Sequence, residues 1–235
     1  MCGRFTQKTP AADLAHVFEL DQEPSELGPR FNIAPTQPVL VIANRPGPRR
    51  AEVMRWGLVP PWATDPAIGN QLVNARSETA ATKPSFRQAL RQRRGLLLMD
   101  GFFEWQALGK LKVPHYFQVA DRGAFAVAAL WEQWAPAHDP AQVLTTCALL
   151  TTAPNPTVAA LHDRMAVILP RSAWTAWLDP QPCTAEALAP LLVPYVGELA
   201  VTQVSSYVNV AGHQGAQCIE PANNPAPSPR QQSLF

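Results

Sequence analysis

The chain has 235 residues, 47% of them hydrophobic, 16% charged, and a formal net charge of +1. This length suits one domain with a tail better than two domains, and the near-neutral charge does not by itself indicate a nucleic-acid-binding protein. No run approaches the roughly 18 apolar residues of a membrane span, and the 25 prolines predict many short elements joined by ordered loops.

The predicted elements begin with an amphipathic helix over residues 10–20, where Leu14, Val17 and Phe18 share one face. A second helix is predicted over 85–94, where Gly95 ends it, and two more helices over 171–178 and 184–192. Apolar runs with β-forming composition predict strands at 39–43, 52–59, 96–105, 116–119, 124–130, 143–150 and 166–169. Closely spaced strands with few helices predict a β-rich α+β fold, not a doubly wound sheet.

We expect no signal peptide and a cytoplasmic protein, because Cys2, Arg4 and Gln7 stand where an apolar run would be needed. Four scattered cysteines show no zinc-binding spacing, and in a reducing compartment they should be free thiols. Cys147 lies in an apolar run and is predicted to be in the core, and Cys183 in a loop. We expect no metal and no cofactor.

Cys2 carries the most distinctive chemistry, because it follows the initiator methionine. If Met1 is removed, Cys2 presents an α-amine and a thiol on neighbouring carbons, with reference pKa values of about 8 and about 8.5. Such a 1,2-aminothiol condenses with an aldehyde to an imine, which the thiol then closes to a five-membered thiazolidine. Considered alone, the residue could equally be a cysteine that happens to follow methionine.

Arginines crowd one short segment, at Arg87, Arg91, Arg93 and Arg94. Arginine suits bidentate contact with phosphate groups, so the segment could bind nucleic acid. The alternative is an ordinary solvated helix face, which the cluster alone favours.

Several blocks together resemble the SRAP (SOS response-associated peptidase) family in order and spacing, from Cys2 to about Glu220. They are RFNIAPTQ (30–37), RWGLVPPWATD (55–65), LVNARSET (72–79), KPSFRQAL (83–90), DGFFEW (100–105), LWEQW (130–134), LHDRMAVIL (161–169) and VSSYVN (204–209). The resemblance implies a single, β-rich domain over 1–220, with mostly antiparallel strands around a barrel-like core.

The resemblance also implies a function, namely covalent capture of abasic sites in single-stranded DNA through Cys2, which lyase activity and self-reversal could accompany. Asn74 matches the family asparagine beside the nucleophile, and Glu104 matches the catalytic glutamate. A carboxyl group flanked by Phe103 and Trp105 would have a raised pKa if its site is apolar. His162 matches the family histidine, which could transfer protons near neutral pH. Considered alone, Glu104 would be a strand-end surface residue and His162 structural.

DNA binding would use residues near the nucleophile, together with a surface on which bases can stack. Gly3 and Arg4 adjoin Cys2, and Arg76 adjoins Asn74, so these residues should hold the flanking phosphates. Additional predicted DNA-binding residues are Pro35, Trp62, Arg87 and Arg164. Trp62 could stack on bases or pack in the core, and Arg164 could instead pair with Asp163 or a buried carboxylate. We interpret Trp56 as a core residue.

From Pro221 the chain is rich in Pro, Asn and Ser, so we expect 221–235 to be a disordered tail. It ends in Gln-Gln-Ser-Leu-Phe, which resembles the peptides with which bacterial proteins bind the replication sliding clamp. Gln231, Leu234 and Phe235 would anchor such a peptide in an apolar pocket. The alternative is a polar tail without a partner.

Three other functions remain open at this point. A glutamine amidotransferase domain also begins Met-Cys-Gly, but its downstream blocks are missing here. A cysteine peptidase could use Cys2, His162 and either Glu104 or Asn74, and could remove Met1 by self-cleavage. A non-enzymatic single-strand binder would hold DNA without a covalent bond. In each case we expect a monomer without a membrane partner.

Overall fold

The computed structural model describes residues 2–25, 27–223 and 225. Its strands in chain order are β1 (Arg4–Gln7), β2 (Arg30–Ile33), β3 (Pro38–Ala43), β4 (Ala51–Trp56), β5 (Asn74–Arg76), β6 (Arg94–Met99), β7 (Gly101–Leu108), β8 (Leu111–Val119), β9 (Phe125–Trp134), β10 (Leu144–Thr152), β11 (Met165–Ala166), β12 (Ile168–Leu169) and β13 (Leu199–Gln203). The α-helices are α1 (Ala11–Phe18), α2 (Ser77–Ala80), α3 (Arg87–Gln92), α4 (Pro156–Ala159), α5 (Arg171–Trp177) and α6 (Ala185–Leu188). Short 3-10 helices cover Pro66–Gln71, Ala189–Leu191, Ser206–Asn209 and Ala216–Cys218.

A closed five-stranded barrel forms the centre of the fold. The strands run β10-β4-β3-β6-β9, and β9 pairs back with β10 to close the ring. The β4–β10 pair is parallel and the other four pairs are antiparallel. The structure therefore confirms the β-rich α+β class and the barrel-like core with mostly antiparallel strands.

A second, fully antiparallel sheet packs against the barrel, in the order β13-β8-β7-β1-β2. Alternation along the barrel strands gives one set of side chains to the second sheet and the other set to the helices. Leu97 and Val127 thus share a core with Phe5 and Phe102, while Leu96 lies in the cluster that contains residues of α1, α3 and α5. Both faces are apolar, which explains the continuous apolar runs in the sequence.

The predicted run 96–105 is in fact two strands in different sheets. β6 belongs to the barrel and β7 to the second sheet, and the chain passes between them at Asp100. Glycine is required at position 101, because a Cβ there would lie 2.4 Å from the Tyr116 ring. The helices predicted at 10–20 and 171–178 are confirmed, whereas β1, β2, β5 and β13 were missed.

Two members of the arginine cluster have structural roles, so neither the phosphate-binding nor the solvated-face interpretation holds for them. Arg94 is fully buried, and its guanidinium donates to the backbone carbonyls of Leu90, Arg91, Trp177, Asp179 and Gln181. Arg93 pairs with Glu132, with Nε 2.7 Å from Oε2. The predicted helix 85–94 accordingly ends early, at Gln92, and Arg94 begins β6. Arg87 and Arg91 are exposed.

Two cysteine predictions are confirmed, since Cys147 is fully buried and Cys183 lies in the loop before α6. The four cysteines are free thiols. Trp56 is fully buried, as expected for a core residue. Among the described helices, none has the length and apolar character that crossing a membrane requires.

Candidate functional site

An open cleft lies at the second sheet, with an empty volume of about 1020 Å³ that includes the solvent at its mouth. Strands β1, β7 and β8 supply most of its wall, and the segment before β1, the loop that carries His162 and the end of the 3-10 helix Ser206–Asn209 complete it. The lining residues are Gly3, Arg4, Glu104, Trp105, Ala107, Lys112, His162 and Asn209. The sheet register explains part of this grouping, because Arg4 pairs with Phe103 and Ala107 pairs with Lys112, which places Arg4, Trp105, Ala107 and Lys112 on one face. Glu104 points to the other face of the sheet.

Cys2 immediately precedes the cleft-lining Gly3 and is fully buried. Burial raises the pKa of its thiol above the ordinary value, and the negative charge of Glu104 adds to this effect. The amide of Asn74 donates from Nδ2 to the Cys2 carbonyl, at 3.0 Å. Asn74 Oδ1 is buried and accepts no hydrogen bond from the described residues. The asparagine is therefore held beside Cys2 by its Nδ2, and its Oδ1 can accept a further hydrogen bond.

Glu104 lies in the middle of β7 and is only 2% exposed, so it is not a strand-end surface residue. Burial raises the pKa of its carboxyl group from 4.5 to about 7. The flanking Phe103 and Trp105 do not supply this burial, because side chains alternate along β7 and theirs lie on the opposite face from Glu104. A carboxyl group with such a pKa can both give and take a proton near neutral pH.

His162 occupies the loop between α4 and β11, with Nε2 3.9 Å from Glu104 Oε2. Its Nδ1 accepts from the Arg164 backbone N–H at 2.9 Å and lies 3.1 Å from the exposed Asp163 carboxylate. Burial lowers the pKa of His162, and the Asp163 charge opposes this effect. A neutral imidazole that accepts the bond from Arg164 carries its proton on Nε2, the atom that faces Glu104, whereas one that donates from Nδ1 to Asp163 or to the Arg164 carbonyl does not.

Arg4 and Trp105 form the opposite wall, which the C-terminal part of the domain holds in place. Arg4 Nη1 donates to Asn32 Oδ1 at 2.9 Å and to the Val208 carbonyl at 3.2 Å. Its guanidinium carbon lies 5.8 Å from the centre of the Trp105 ring. Trp105 in turn donates from Nε1 to Asn209 Oδ1, at 2.7 Å.

The remaining predicted residues do not line the cleft. Arg76 and Arg87 are exposed at the ends of β5 and α3, and Trp62 is 57% exposed in the loop after β4. Pro35 is half-buried in the turn between β2 and β3. The Arg164 side chain is paired with the half-exposed Glu78, so its carboxylate partner is neither Asp163 nor a buried residue.

Sequence reasoning missed four cleft residues, namely Trp105, Ala107, Lys112 and Asn209. Lys110 and Lys112 are two of the four lysines in the chain, and this clustering at a hairpin was a signal that could have been used. Trp105 and Lys112 lie on the same face as Arg4, because β-strand side chains alternate and the register is known. Over the described ranges, no group of three or more metal-binding side chains comes together.

In comparison with known proteins, residues 1–211 of the chain match the family model "SOS response associated peptidase (SRAP)". The chain is 38% identical to the abasic site processing protein YoaM of Bacillus subtilis, over 95% of this chain and 100% of that protein. It is 31% identical to the abasic site processing protein YedK of Escherichia coli, over 94% and 100% of the two chains. A crystal structure of a protein from Bacteroides thetaiotaomicron has the same fold, with a TM-score of 0.84 at 23% identity, covering 94% of this chain and all of that one. The chain belongs to the SRAP family.

Proposed function

We propose that this protein captures abasic sites in single-stranded DNA by forming a covalent bond through Cys2. The observation that carries the proposal is that Glu104 and His162 line one cleft, while Cys2, which precedes the cleft-lining Gly3, is held by Asn74 and feels the charge of Glu104. The names of the relatives support the coarser statement, a role in processing abasic sites in DNA.

The reaction needs a free Cys2 amine, so Met1 must first be removed, by an aminopeptidase or by self-cleavage. The amine then attacks the aldehyde carbon of the opened abasic sugar, and loss of water leaves an imine. The Cys2 sulfur next adds to the imine carbon while the thiol proton passes to the nitrogen. This closes a thiazolidine with all atoms balanced, and no oxidant or cofactor is consumed.

Glu104 and His162 would supply the proton transfers that these steps require. An abasic sugar is mostly a closed hemiacetal, and its opening needs one proton removed and another delivered. Glu104, whose pKa burial raises to about 7, is suited to both tasks, and His162 lies within reach of it. Asn74 Oδ1 could accept a hydrogen bond from the Cys2 amine or from a sugar hydroxyl.

DNA would follow the face of the second sheet that carries Arg4, Trp105 and Lys112. Two cations and an aromatic ring on one face suit a single strand, since phosphates pair with the cations and a base can stack on a ring. Arg76, Arg87, Pro35 and Trp62 would contact DNA outside the cleft. Arg164 could contact a phosphate only if it shares or leaves Glu78.

The deciding experiment mixes the purified protein with a labelled single-stranded oligonucleotide that carries one abasic site, followed by a denaturing gel. We expect a shifted band that requires both the lesion and Cys2, with intact DNA and Cys2→Ala as controls. No shift from a protein with a confirmed free Cys2 would refute the proposal. Glutamine hydrolysis or peptide cleavage would then favour an amidohydrolase or a peptidase, and non-covalent retention of DNA a simple binder.

Lyase activity and crosslink reversal are finer parts of the same proposal. A Cys2→Ala variant still exposes an amine, which can form a Schiff base, so some nicking of abasic DNA should persist while the stable adduct is lost. A stable adduct in that variant would contradict thiazolidine formation.

The tail residues Gln231, Leu234 and Phe235 lie outside the described residues. We propose that they bind the bacterial sliding clamp, which would bring the protein to replicating DNA. Deletion of Leu234 and Phe235 should abolish capture of the clamp in a pull-down. Undiminished capture, or none by the full chain, would refute the idea.

A further inference from the structure

An ion pair beside the His162 loop connects it to the two elements behind the cleft. Arg164 Nη1 and Nη2 lie 2.7 and 2.8 Å from the two carboxylate oxygens of Glu78, on α2. Nη2 also donates to the Thr151 carbonyl of β10 at 2.8 Å. The Arg164 side chain is only 14% exposed. This bidentate geometry fixes both the position and the orientation of the guanidinium.

The backbone of the same arginine holds the imidazole of His162. The Arg164 N–H donates to Nδ1 at 2.9 Å, and the Arg164 carbonyl lies 3.2 Å from the same nitrogen. A neutral imidazole can accept from the N–H, and a protonated imidazole can donate to the carbonyl. Arg164 therefore offers His162 a partner in either protonation state. In both states Nε2 stays directed at Glu104, with 3.9 Å between Nε2 and Oε2.

We propose that Glu78 is a positioning residue, which clamps Arg164 so that the Arg164 backbone keeps Nε2 of His162 aimed at Glu104 while His162 gains and loses its proton. The groups that face His162 are Glu104 from β7, Asp163 and Arg164 from its own loop, and the Cys2 amine once Met1 is removed. The clamp itself is a matter of placement, and its effect on crosslinking rests on the proposed function.

The test uses Glu78→Gln, which removes the charge and one acceptor oxygen, and Arg164→Lys, which keeps the charge but loses the bidentate contact. Glu52→Gln is a matched control. Glu52 accepts from Arg45 Nε and Nη2, at 2.6 and 3.1 Å, in an equally bidentate pair outside the cleft. A cooperative melting transition well above the assay temperature in each variant would establish that it folds.

The first readout is the ¹⁵N spectrum of histidine-labelled protein, with the His162 signals assigned by their loss in His162→Gln. At alkaline pH we expect Nε2 to carry the proton in the wild type and in Glu52→Gln. In Glu78→Gln and Arg164→Lys we expect nitrogen shifts averaged between the two tautomers. Shifts identical to the wild type in both clamp variants would overturn the proposal, whether or not the protein forms crosslinks.

The second readout is the single-turnover crosslinking rate at saturating protein. We expect Glu78→Gln to slow the step about tenfold, part of the roughly 10²–10⁴-fold that general acid–base catalysis contributes. Its affinity for intact DNA should not fall, because a negative charge has been removed. An unchanged rate would overturn the catalytic part of the proposal. A wild type that forms no crosslink, with altered tautomers in the clamp variants, would refute the proposed function but not the clamp.

Discussion

Replacing Glu104 by glutamine should stabilise the protein at alkaline pH and slow the formation of the crosslink. Glu104 is 2% exposed, and burial raises the pKa of its carboxyl group from 4.5 to about 7. A group whose folded-state pKa is raised in this way favours folding when protonated and opposes folding when ionised. The free energy of unfolding of the wild type should therefore fall as pH rises from about 4.5 to about 7, and Glu104→Gln should lack this loss.

The magnitude follows from the two pKa values. At about 1.4 kcal/mol for each tenfold change in proton affinity, the ionised Glu104 opposes folding by about 3 kcal/mol at pH 8 and by about 0.8 kcal/mol at pH 5. Relative to the wild type, Glu104→Gln should thus gain about 2.5 kcal/mol between pH 5 and pH 8. For a chain of this size, about 3 kcal/mol corresponds to roughly 6–12 °C in melting temperature.

Urea denaturation of both proteins at pH 5 and pH 8 measures this difference directly. Comparing two pH values removes any constant effect of the new amide, such as an altered hydrogen bond. A stability difference that does not change with pH would refute the reasoning, because it would mean that Glu104 is not a buried carboxyl group with a raised pKa. We expect the same variant to form the crosslink more slowly than the wild type.

Three further outcomes are expected. Crosslinking by the wild type should decline above about pH 7 as Glu104 loses its proton, and a pH–rate profile of Glu104→Gln that keeps this decline would contradict the assignment. Lys112→Ala should weaken binding of intact single-stranded DNA and reduce the slope of log affinity against log salt concentration by about 0.7. Lys110→Ala should have a smaller effect on both quantities, because Lys110 does not line the cleft. Arg94→Met should lower the free energy of unfolding by about 3 kcal/mol or more, because five backbone carbonyls lose a buried donor. The control Arg87→Met changes an exposed arginine and should alter the free energy of unfolding by less than about 0.5 kcal/mol. Equal losses of both variants in urea denaturation would refute the structural role of Arg94.

The sequence was informative wherever local pattern governs structure. Leu14 and Phe18, four residues apart, predicted the buried face of α1, and the apolar run around Cys147 predicted a core strand. Short strands were harder to predict. β1 and β5 have four and three residues, and β5 becomes a strand only because it pairs with distant β10.

Side-chain partners were beyond local pattern for the same reason. Arg93 and Arg94 directly follow α3, which carries the exposed arginines, yet both have structural roles. Arg93 pairs with Glu132, and Arg94 is the first residue of β6 and donates to buried backbone carbonyls. Arg164 was open to either phosphate or carboxylate, and the choice of Glu78 depends on α2, which lies 86 residues away. The neighbouring sequence does not tell which partner each arginine binds, because that partner is distant in the sequence and comes close only in the folded protein.

From its sequence alone, the protein could be identified as an SRAP relative with a β-rich core, and Cys2, Asn74, Glu104 and His162 could be named as candidates. Only the tertiary structure decided that Glu104 and His162 line one cleft together with Trp105, Lys112 and Asn209, and that Asn74 holds Cys2 next to the cleft-lining Gly3. It also decided that Glu104 is buried, since its exposure depends on how the second sheet packs against the barrel. Residue types carry the possible chemistry, whereas burial and distance, which set the pKa values and the proton path, arise only when remote strands pair.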